Sequence, residues 1–239
     1  MSPSSPSSTE LRRRELSENL AEVRSRIAAA ASSVGRSVDS VTLVVVTKTW
    51  PASDVRLLAE LGVTEVGENR DQEAAPKAAE LADLGLTWHF IGQLQTNKAR
   101  SVATYAHVVE SVDRLRLVSA LDAAAEHAGR QLQCLVQVGL DPVPGRGGAS
   151  GEDIARVADA VAASSWLSLA GVMAVAPLDA DPDPAFARLQ AVAADLRDRH
   201  PQAGVVSAGM SHDLESAVAH GATHVRVGTA VLGPRSSVG

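Results

Sequence analysis

The sequence predicts an α/β fold, a single (β/α)8 barrel of the TIM type with an extra N-terminal helix. Short runs of β-branched residues alternate along the chain with longer stretches rich in Ala, Leu, Glu and Arg. The short runs lack the apolar–polar alternation of half-exposed strands, as is typical of parallel strands covered on both faces. About eight such runs are present, which is the number that closes a barrel. A doubly wound open sheet uses the same βαβ units but needs fewer strands.

The chain is expected to begin with a disordered tail and an amphipathic helix. Residues Met1–Thr9 are mostly Ser and Pro and do not follow the pattern of a secretory signal. Gly35 is a suitable cap for the helix after them. Apolar side chains recur there at helical spacing among Arg and Glu, namely Leu11, Leu16, Leu20, Val23 and Ile27. The barrel domain is predicted over residues 10–235, with a short C-terminal tail over 236–239.

Eight strands and seven further helices follow in alternation. The strands are predicted at 41–47, 63–66, 87–91, 107–110, 132–138, 168–173, 204–207 and 223–227. The helices are predicted at 52–61, 71–84, 97–104, 113–128, 151–163, 185–199 and 211–220. Pro76 is expected to interrupt the second of these helices because it cannot donate an interior hydrogen bond. Residues 139–150 and 179–184 are predicted loops.

Composition and charge exclude several classes of partner. The chain has 239 residues with 22 Lys+Arg against 28 Asp+Glu, a formal net charge of −6, and no basic cluster that would follow a phosphate backbone. Nucleic acid is therefore not expected as a partner. No apolar stretch is long enough to span a membrane. The single cysteine, Cys134, is expected to be a buried thiol, and the protein a cytoplasmic monomer.

The barrel prediction indicates where a site would lie. Phosphate groups commonly bind at the loops after the seventh and eighth strands of such barrels. These loops are Ala208-Gly209-Met210-Ser211 and Gly228-Thr229, where small residues leave N–H groups and hydroxyls free to hold an anion, with help from helix dipoles. Taken singly, Ser211 is better explained as only an N-cap and Gly228 as only a tight turn. Both loops together favour phosphate.

Two cations complete the predicted site. Lys48 ends the first strand, where partial desolvation would favour the neutral amine needed for a Schiff base, although Lys48 taken by itself is better explained as a snorkelling surface lysine. Arg226 lies between Val225 and Val227 in the last strand, so it faces the lumen if the valines face the helices. A buried guanidinium needs a ligand or a carboxylate, and a structural ion pair with Glu68 or Glu110 is the alternative. No metal-binding motif is present.

Several motifs together resemble a known family. They are Thr47-Lys48-Thr49, Gly67-Glu68-Asn69-Arg70, the run 88–98 (WHFIGQLQTNK), Gly171-Val172-Met173, the run 209–215 (GMSHDLE) and Arg226-Val227-Gly228-Thr229. The set is similar to the pyridoxal phosphate homeostasis proteins, whose fold is like the N-terminal barrel of alanine racemase. The resemblance extends from about Val41 to Arg235.

The resemblance implies a cofactor site. It places pyridoxal 5′-phosphate (PLP) on Lys48 as an internal aldimine, with the phosphate on Ser211, Gly228 and Thr229. It places Arg226 opposite the pyridine nitrogen, where a cation disfavours protonation and weakens the ring as an electron sink. The remaining expected contacts are Asn69 near the ring and the main chain of Met210 at the phosphate loop.

The expected function is to hold PLP within intracellular vitamin B6 homeostasis, with PLP-dependent apo-enzymes as possible recipients and without robust catalysis. The related racemase uses a second base, a tyrosine from a separate domain, whereas the only tyrosine of this chain is Tyr105. An amino-acid racemase is the second hypothesis. A Schiff-base aldolase that uses Lys48 on a sugar phosphate is the third.

Overall fold

The structure, a computed structural model, describes residues 7–140, 147–177 and 180–234. Eight parallel strands close into a barrel in sequence order, so the predicted fold is confirmed and the open sheet is wrong. The strands are β1 (Thr42–Val46), β2 (Glu65–Glu68), β3 (Thr87–Phe90), β4 (Val108–Val112), β5 (Leu132–Gln137), β6 (Leu167–Met173), β7 (Val205–Ser207) and β8 (His224–Val227). The barrel closes where β1 pairs with β8, with Val44 opposite Arg226.

Helices surround the barrel. They are α1 (Ser8–Ser33), α2 (Ala52–Glu60), α3 (Asp71–Glu80), α4 (Ala99–Tyr105), α5 (Leu115–Ala128), α6 (Glu152–Ala162), α7 (Asp183–Arg199), α8 (Leu214–Ala219) and α9 (Thr229–Leu232). Within the described ranges, no helix has the length and apolar character needed to cross a bilayer.

The core has two parts, as a filled barrel requires. The larger part lies between the strands and the helices. A small apolar cluster of Val108, Leu135 and Met173 fills the lumen. Cys134 is fully buried, as predicted, and burial raises the pKa of its thiol to about 12.

The extra N-terminal helix is α1. A capping box between Ser7 and Glu10 starts it, so the helix begins within the segment predicted as a tail. Residues 1–6 and 235–239, which include the rest of that tail and the predicted C-terminal tail, lie outside the described residues. The face of α1 that carries Leu16, Leu20, Val23 and Ile27 is buried as predicted, whereas Leu11 is exposed. This face packs mainly against α8 and α9, next to the last two strands.

Two predictions from local sequence are wrong. The second strand was placed at 63–66, but β2 occupies Glu65–Glu68 because parallel pairing sets its register, with Glu65 opposite Thr87 and Glu68 opposite Phe90. Pro76 does not interrupt its helix, since α3 continues from Asp71 to Glu80. Pro76 is exposed and only one turn from the helix start, so a single intrahelical hydrogen bond is lost.

Candidate functional site

A cavity of about 300 Å³ opens at the C-terminal ends of the strands. This is the end at which barrel enzymes place their sites, because the loops after the strands meet there. The structure brings together all seven residues that the sequence analysis assigned to a site: Lys48, Asn69, Met210, Ser211, Arg226, Gly228 and Thr229. The same wall includes several residues that were given no role, namely Val46, Trp50, Ile91, Gly92, Val175, His212 and Gly233.

Lys48 lies just after β1, and the preceding residue, Thr47, is bound to two buried charged side chains. The hydroxyl of Thr47 donates to Glu68 Oε1 at 2.7 Å, and Lys77 Nζ donates to the Thr47 carbonyl at 2.9 Å. Lys77 also forms a 2.5 Å ion pair with Glu68, and both side chains are almost completely buried. Lys48 itself is half-buried and lines the cavity. Its side chain therefore lies at the predicted site.

The residue after Lys48 has a strained backbone. Thr49 has φ 69°, a conformation that is unfavourable for a β-branched side chain. Its N–H donates to Glu73 Oε2 on α3 at 3.1 Å, which helps to hold it there. Such strain persists only where the surroundings enforce it, and it is concentrated at functional sites. The turn that directs Lys48 into the cavity is therefore fixed from α3.

Arg226 faces the lumen, as the alternation of β8 predicted. Val225 and Val227 are fully buried on the other face, and Arg226 itself is 4% exposed. Its Nη1 donates to Ser207 Oγ at 2.6 Å, and its Nη2 donates to the Ala174 carbonyl at 2.8 Å. Of the two carboxylates considered as partners, Glu110 lies 3.6 Å from Arg226. The other one, Glu68, is paired with Lys77.

Glu110 is fully buried beneath Arg226. Burial by itself would raise its pKa, but the hydrogen bond from His89 and the positive charge of Arg226 outweigh that effect and lower the pKa to about 2. The carboxylate is therefore ionised at neutral pH. Burial lowers the pKa of Arg226, but a guanidinium stays charged in proteins, so the two groups form a true ion pair.

The two predicted phosphate loops meet beside the end of β1. Gly209 has φ 91°, and a Cβ there would lie 2.6 Å from that of Ala217, so only glycine fits this turn. Ser211 Oγ accepts a hydrogen bond from the Ala230 N–H at 3.3 Å and thereby joins the loops. The N-cap of α8 is Asp213, so the interpretation of Ser211 as only an N-cap is wrong.

Main-chain N–H groups are available at both loops. Within the described part of the chain, the N–H groups of Ser211 and Thr229 have no hydrogen-bond acceptor. Clustered main-chain donors of this kind bind anions. The helix contribution is smaller than expected, because α8 begins only at Leu214 and α9 has four residues. The loops themselves therefore supply the donors.

Helix α1 supports this wall from outside the barrel. Arg26 Nη2 donates to the Ser211 carbonyl at 2.9 Å, and Arg26 also pairs with Glu215 at 2.7 Å. Asn19 Nδ2 donates to the Val231 carbonyl at 2.9 Å. Arg12 donates to the Leu232 carbonyl at 3.0 Å and lies over the Trp50 ring at 4.6 Å. The extra helix thus holds the loops that follow the last two strands.

The rest of the cavity lining is partly apolar and includes the loops after β2 and β3. A Cβ at Gly92 would lie 2.1 Å from the carbonyl oxygen of Asn69, so the loops after β2 and β3 can touch only because residue 92 is glycine. Trp50 and His212 were missed as lining residues. Their positions in the sequence could have indicated this role, because Trp50 lies two residues after Lys48 and His212 lies one residue after Ser211. Loop residues beside a predicted ligand contact often reach the same cavity.

Tyr105 lies elsewhere. It is largely buried at the end of α4 and lines a different depression with Leu86, Trp88 and Arg130. Burial and the nearby charge of Asp71 raise the pKa of Tyr105 above its usual range. It therefore does not face Lys48 across the cavity.

Comparison with known proteins agrees with this geometry. The sequence model of the family described as alanine racemase, N-terminal domain, matches residues 18–236. A relative from Mycobacterium tuberculosis, named pyridoxal phosphate homeostasis protein, is 48% identical over 94% of this chain and 94% of its own. The chain belongs to the pyridoxal phosphate homeostasis protein family.

Solved structures place this family member among similar barrels. PipY of Synechococcus elongatus, a structure with PLP bound, is 36% identical with a TM-score of 0.80, covering 91% of this chain and 100% of PipY. Alanine racemase from Streptomyces coelicolor is 20% identical with a TM-score of 0.74, covering 93% of this chain and 59% of the racemase. The latter likeness shows the shared fold alone.

Proposed function

We propose that this protein binds PLP in the cavity at the barrel mouth and acts in PLP homeostasis, holding the cofactor as an aldimine with Lys48. One observation carries the proposal: the chain has only three lysines, and Lys48 is the one that lines this cavity. Lys77 is buried in its ion pair with Glu68, and Lys98 is partly exposed beside Asp71. The family membership and the PLP found in PipY support the same ligand.

The cavity fits the chemistry of this cofactor. PLP has an aldehyde that condenses with a primary amine, a ring nitrogen and a phosphate, and when bound it supplies an electron sink. Lys48 offers the amine. The N–H groups of Ser211 and Thr229, the Ser211 hydroxyl and the main chain at Gly228 offer an anion site beside it, whereas the Met210 N–H already donates to Asp213 Oδ1 at 2.6 Å.

Two further residues would orient the ring. Arg226 can only donate hydrogen bonds, so the ring nitrogen would accept a hydrogen bond from it. The positive charge of Arg226 would then oppose protonation of that nitrogen. Asn69 reaches the cavity from the loop after β2. An unprotonated ring is a weaker electron sink, which favours holding the cofactor over using it.

We propose that catalysis is weak or absent. A two-base racemase needs a second acid or base opposite the lysine, and Tyr105 does not line the cavity. The volume of about 300 Å³ is at the lower end for ligand sites, which leaves little room for a substrate beside PLP. PLP-dependent apo-enzymes in the cytoplasm are the proposed recipients, and the protein is proposed to act as a monomer.

One observation favours a racemase as the second candidate. His212 lines the cavity, and histidine is a common proton-transfer group at neutral pH. A racemase would release D-amino acid from an L-amino acid and exchange the α-proton with solvent. The His212→Ala variant would then lose both reactions.

The experiment follows PLP through the protein. Apo-protein is titrated with PLP and the visible absorption recorded, for wild type and for Lys48→Ala, with Lys98→Ala as the matched lysine control. The loaded protein is then mixed with a PLP-dependent apo-enzyme. We expect a visible band that only Lys48→Ala loses, and recovery of the acceptor's activity. A colourless wild-type protein, or a loaded protein that never releases PLP, would contradict the proposal. Rapid D-isomer formation would favour the racemase.

A further inference from the structure

A chain of buried polar groups crosses the lumen from β2 to Arg226. His89 Nε2 lies 2.8 Å from Glu65 Oε2, and His89 Nδ1 lies 2.7 Å from Glu110 Oε1. Glu110 Oε2 accepts a hydrogen bond from the Ser207 hydroxyl at 2.7 Å. The same hydroxyl accepts from Arg226 Nη1 at 2.6 Å. The chain thus begins near the bottom of the barrel and ends in the cavity wall.

The direction of every hydrogen bond in this chain follows from donor and acceptor chemistry. Arg226 only donates, so Ser207 must accept from it and use its own proton on Glu110. Ionised carboxylates only accept, so both ring nitrogens of His89 must carry protons. The chain then contains two carboxylates, one imidazolium and one guanidinium, and its net charge is zero. A neutral, fully paired set of this kind is what a low-dielectric interior tolerates.

We propose that His89 and Glu110 are positioning residues that act through the Ser207 hydroxyl to fix the Arg226 guanidinium in the cavity wall. The inference rests on the proposed function in that Arg226 is taken to face the PLP ring. Glu110 and Ser207 hold one edge of the guanidinium, and the Ala174 carbonyl holds Nη2, so rotation of the planar group is prevented. None of the three lumen residues lines the cavity.

The geometry explains why an arginine can remain at this wall when PLP leaves. A buried guanidinium without hydrogen-bond acceptors would lower the free energy of unfolding of the apo-protein. Because Ser207, Glu110 and the Ala174 carbonyl already provide partners for Arg226, the cavity wall keeps its shape in the apo-protein. The free energy of PLP binding is then not needed to reorganise the wall. This suits a protein that must both accept and release its ligand.

Ser207→Ala is the most direct variant, because it changes no charge and removes only the connecting hydroxyl. We expect PLP affinity to fall about tenfold, the usual scale for a hydrogen bond to a charged group, with a shifted visible band. Ser207→Thr keeps a hydroxyl and should recover most of the loss. Ser111→Ala is the matched control, since this buried serine, next to Glu110, has a hydroxyl without a hydrogen-bond partner in the described structure.

Coupling between distant residues tests whether the chain acts as a unit. His89→Gln alone should also weaken PLP binding, although His89 does not reach the cavity. In the double variant His89→Gln/Ser207→Ala the two losses should be clearly less than additive, whereas His89→Gln/Ser111→Ala should be additive. Additive losses in both doubles, or unchanged PLP affinity in Ser207→Ala, would overturn the inference.

A measurement on the apo-protein separates this inference from the proposed function. The ¹⁵N shifts of the His89 ring at neutral pH should show both nitrogens protonated, in wild type and in Ser207→Ala. A neutral His89 would overturn the inference even if PLP binds. Failure of wild-type protein to bind PLP, with His89 doubly protonated, would instead contradict the proposed function.

Discussion

The two walls of the cavity are held in different ways. Behind Lys48 and Arg226 lie buried charged groups, Lys77 with Glu68 and His89 with Glu110. Behind the phosphate loops lies α1, which packs a buried apolar face against α8 and α9. Its polar contacts are hydrogen bonds to main-chain carbonyls and an ion pair between Arg26 and Glu215 with side chains 29% and 49% exposed. The buried charged pairs lie inside the fold, one between β2 and α3 and one in the lumen, whereas the polar contacts of α1 lie nearer the surface.

The difference has an energetic consequence. Breaking one member of a buried ion pair leaves an uncompensated charge in a low dielectric, whereas water replaces a lost surface contact at little cost. Changes behind the Lys48–Arg226 wall should therefore reduce stability strongly. Changes to the polar contacts between α1 and these loops should alter PLP affinity with little effect on folding.

The largest effect is expected from Lys77→Met. It leaves Glu68 fully buried without its cation, and Glu68 Oε2 already has no partner among the described residues. The free energy of unfolding should fall by about 3–5 kcal/mol, measured by urea denaturation of the apo-protein. The double variant Lys77→Met/Glu68→Leu should recover much of the loss. A loss below about 1 kcal/mol in the single variant would show that this pair does not hold the wall.

A pH titration should report the second buried pair. Burial alone would lower the pKa of His89, but its hydrogen bonds to the Glu110 and Glu65 carboxylates outweigh that effect and raise the pKa from 6.5 to about 9. The charged and titratable groups around His89 are Glu65 on β2, Glu110 on β4, and His224 and Arg226 on β8, with His107 beside β4.

A raised pKa means that this stabilisation is fully present below pH 6.5 and is lost as the pH rises through about 9. The loss should reach up to about 3 kcal/mol across that range. Urea unfolding of wild type and His89→Gln at several pH values checks it, since the variant should lack most of the decline. Equal pH slopes in the two proteins would rule out a charged His89.

A smaller effect is expected from Arg26→Ala. The variant loses the Arg26–Glu215 pair and the hydrogen bond to the Ser211 carbonyl, so the free energy of unfolding should fall by at most about 1 kcal/mol. PLP affinity should fall several-fold, because the phosphate loop is less firmly held. Arg24→Ala is the matched control, since Arg24 lies on the same helix but contacts Leu61 and Gly62. Equal PLP affinity in both variants would show that Arg26 on α1 does not support the phosphate loop.

The smallest effect is expected from Arg14→Ala. Arg14 and Glu18 form an i,i+4 pair on α1 with side chains 79% and 66% exposed. Thermal unfolding should show a change within about 0.5 kcal/mol, and PLP binding should be unchanged. A larger change would mean that exposed ion pairs on α1 contribute substantially to the free energy of unfolding.

Most of the fold could be predicted from the sequence because most strands are short buried runs rich in β-branched residues. Lys48, Arg226 and the two phosphate loops could be predicted because barrel topology brings positions after several strands to one mouth, whereas Asn69 and the role of Met210 came from the resemblance to the family. The chain of His89, Glu110 and Ser207 could not be predicted, because these residues lie on three strands and their contacts depend on the tilt and register of the closed barrel. The shift of β2 shows the same limit, since strand pairing overrides a local signal. Pro76 shows another limit, because the cost of a proline depends on its position in the helix.

Borohydride reduction of the PLP-treated protein followed by peptide mapping tests the central claim most directly, because the chain has only three lysines. The reduced linkage is a stable secondary amine that marks the attachment point. The account predicts a single label on Lys48, absent after Lys48→Ala and unchanged after Lys98→Ala. A label on Lys98 or Lys77, or none in a protein that binds PLP, would contradict it.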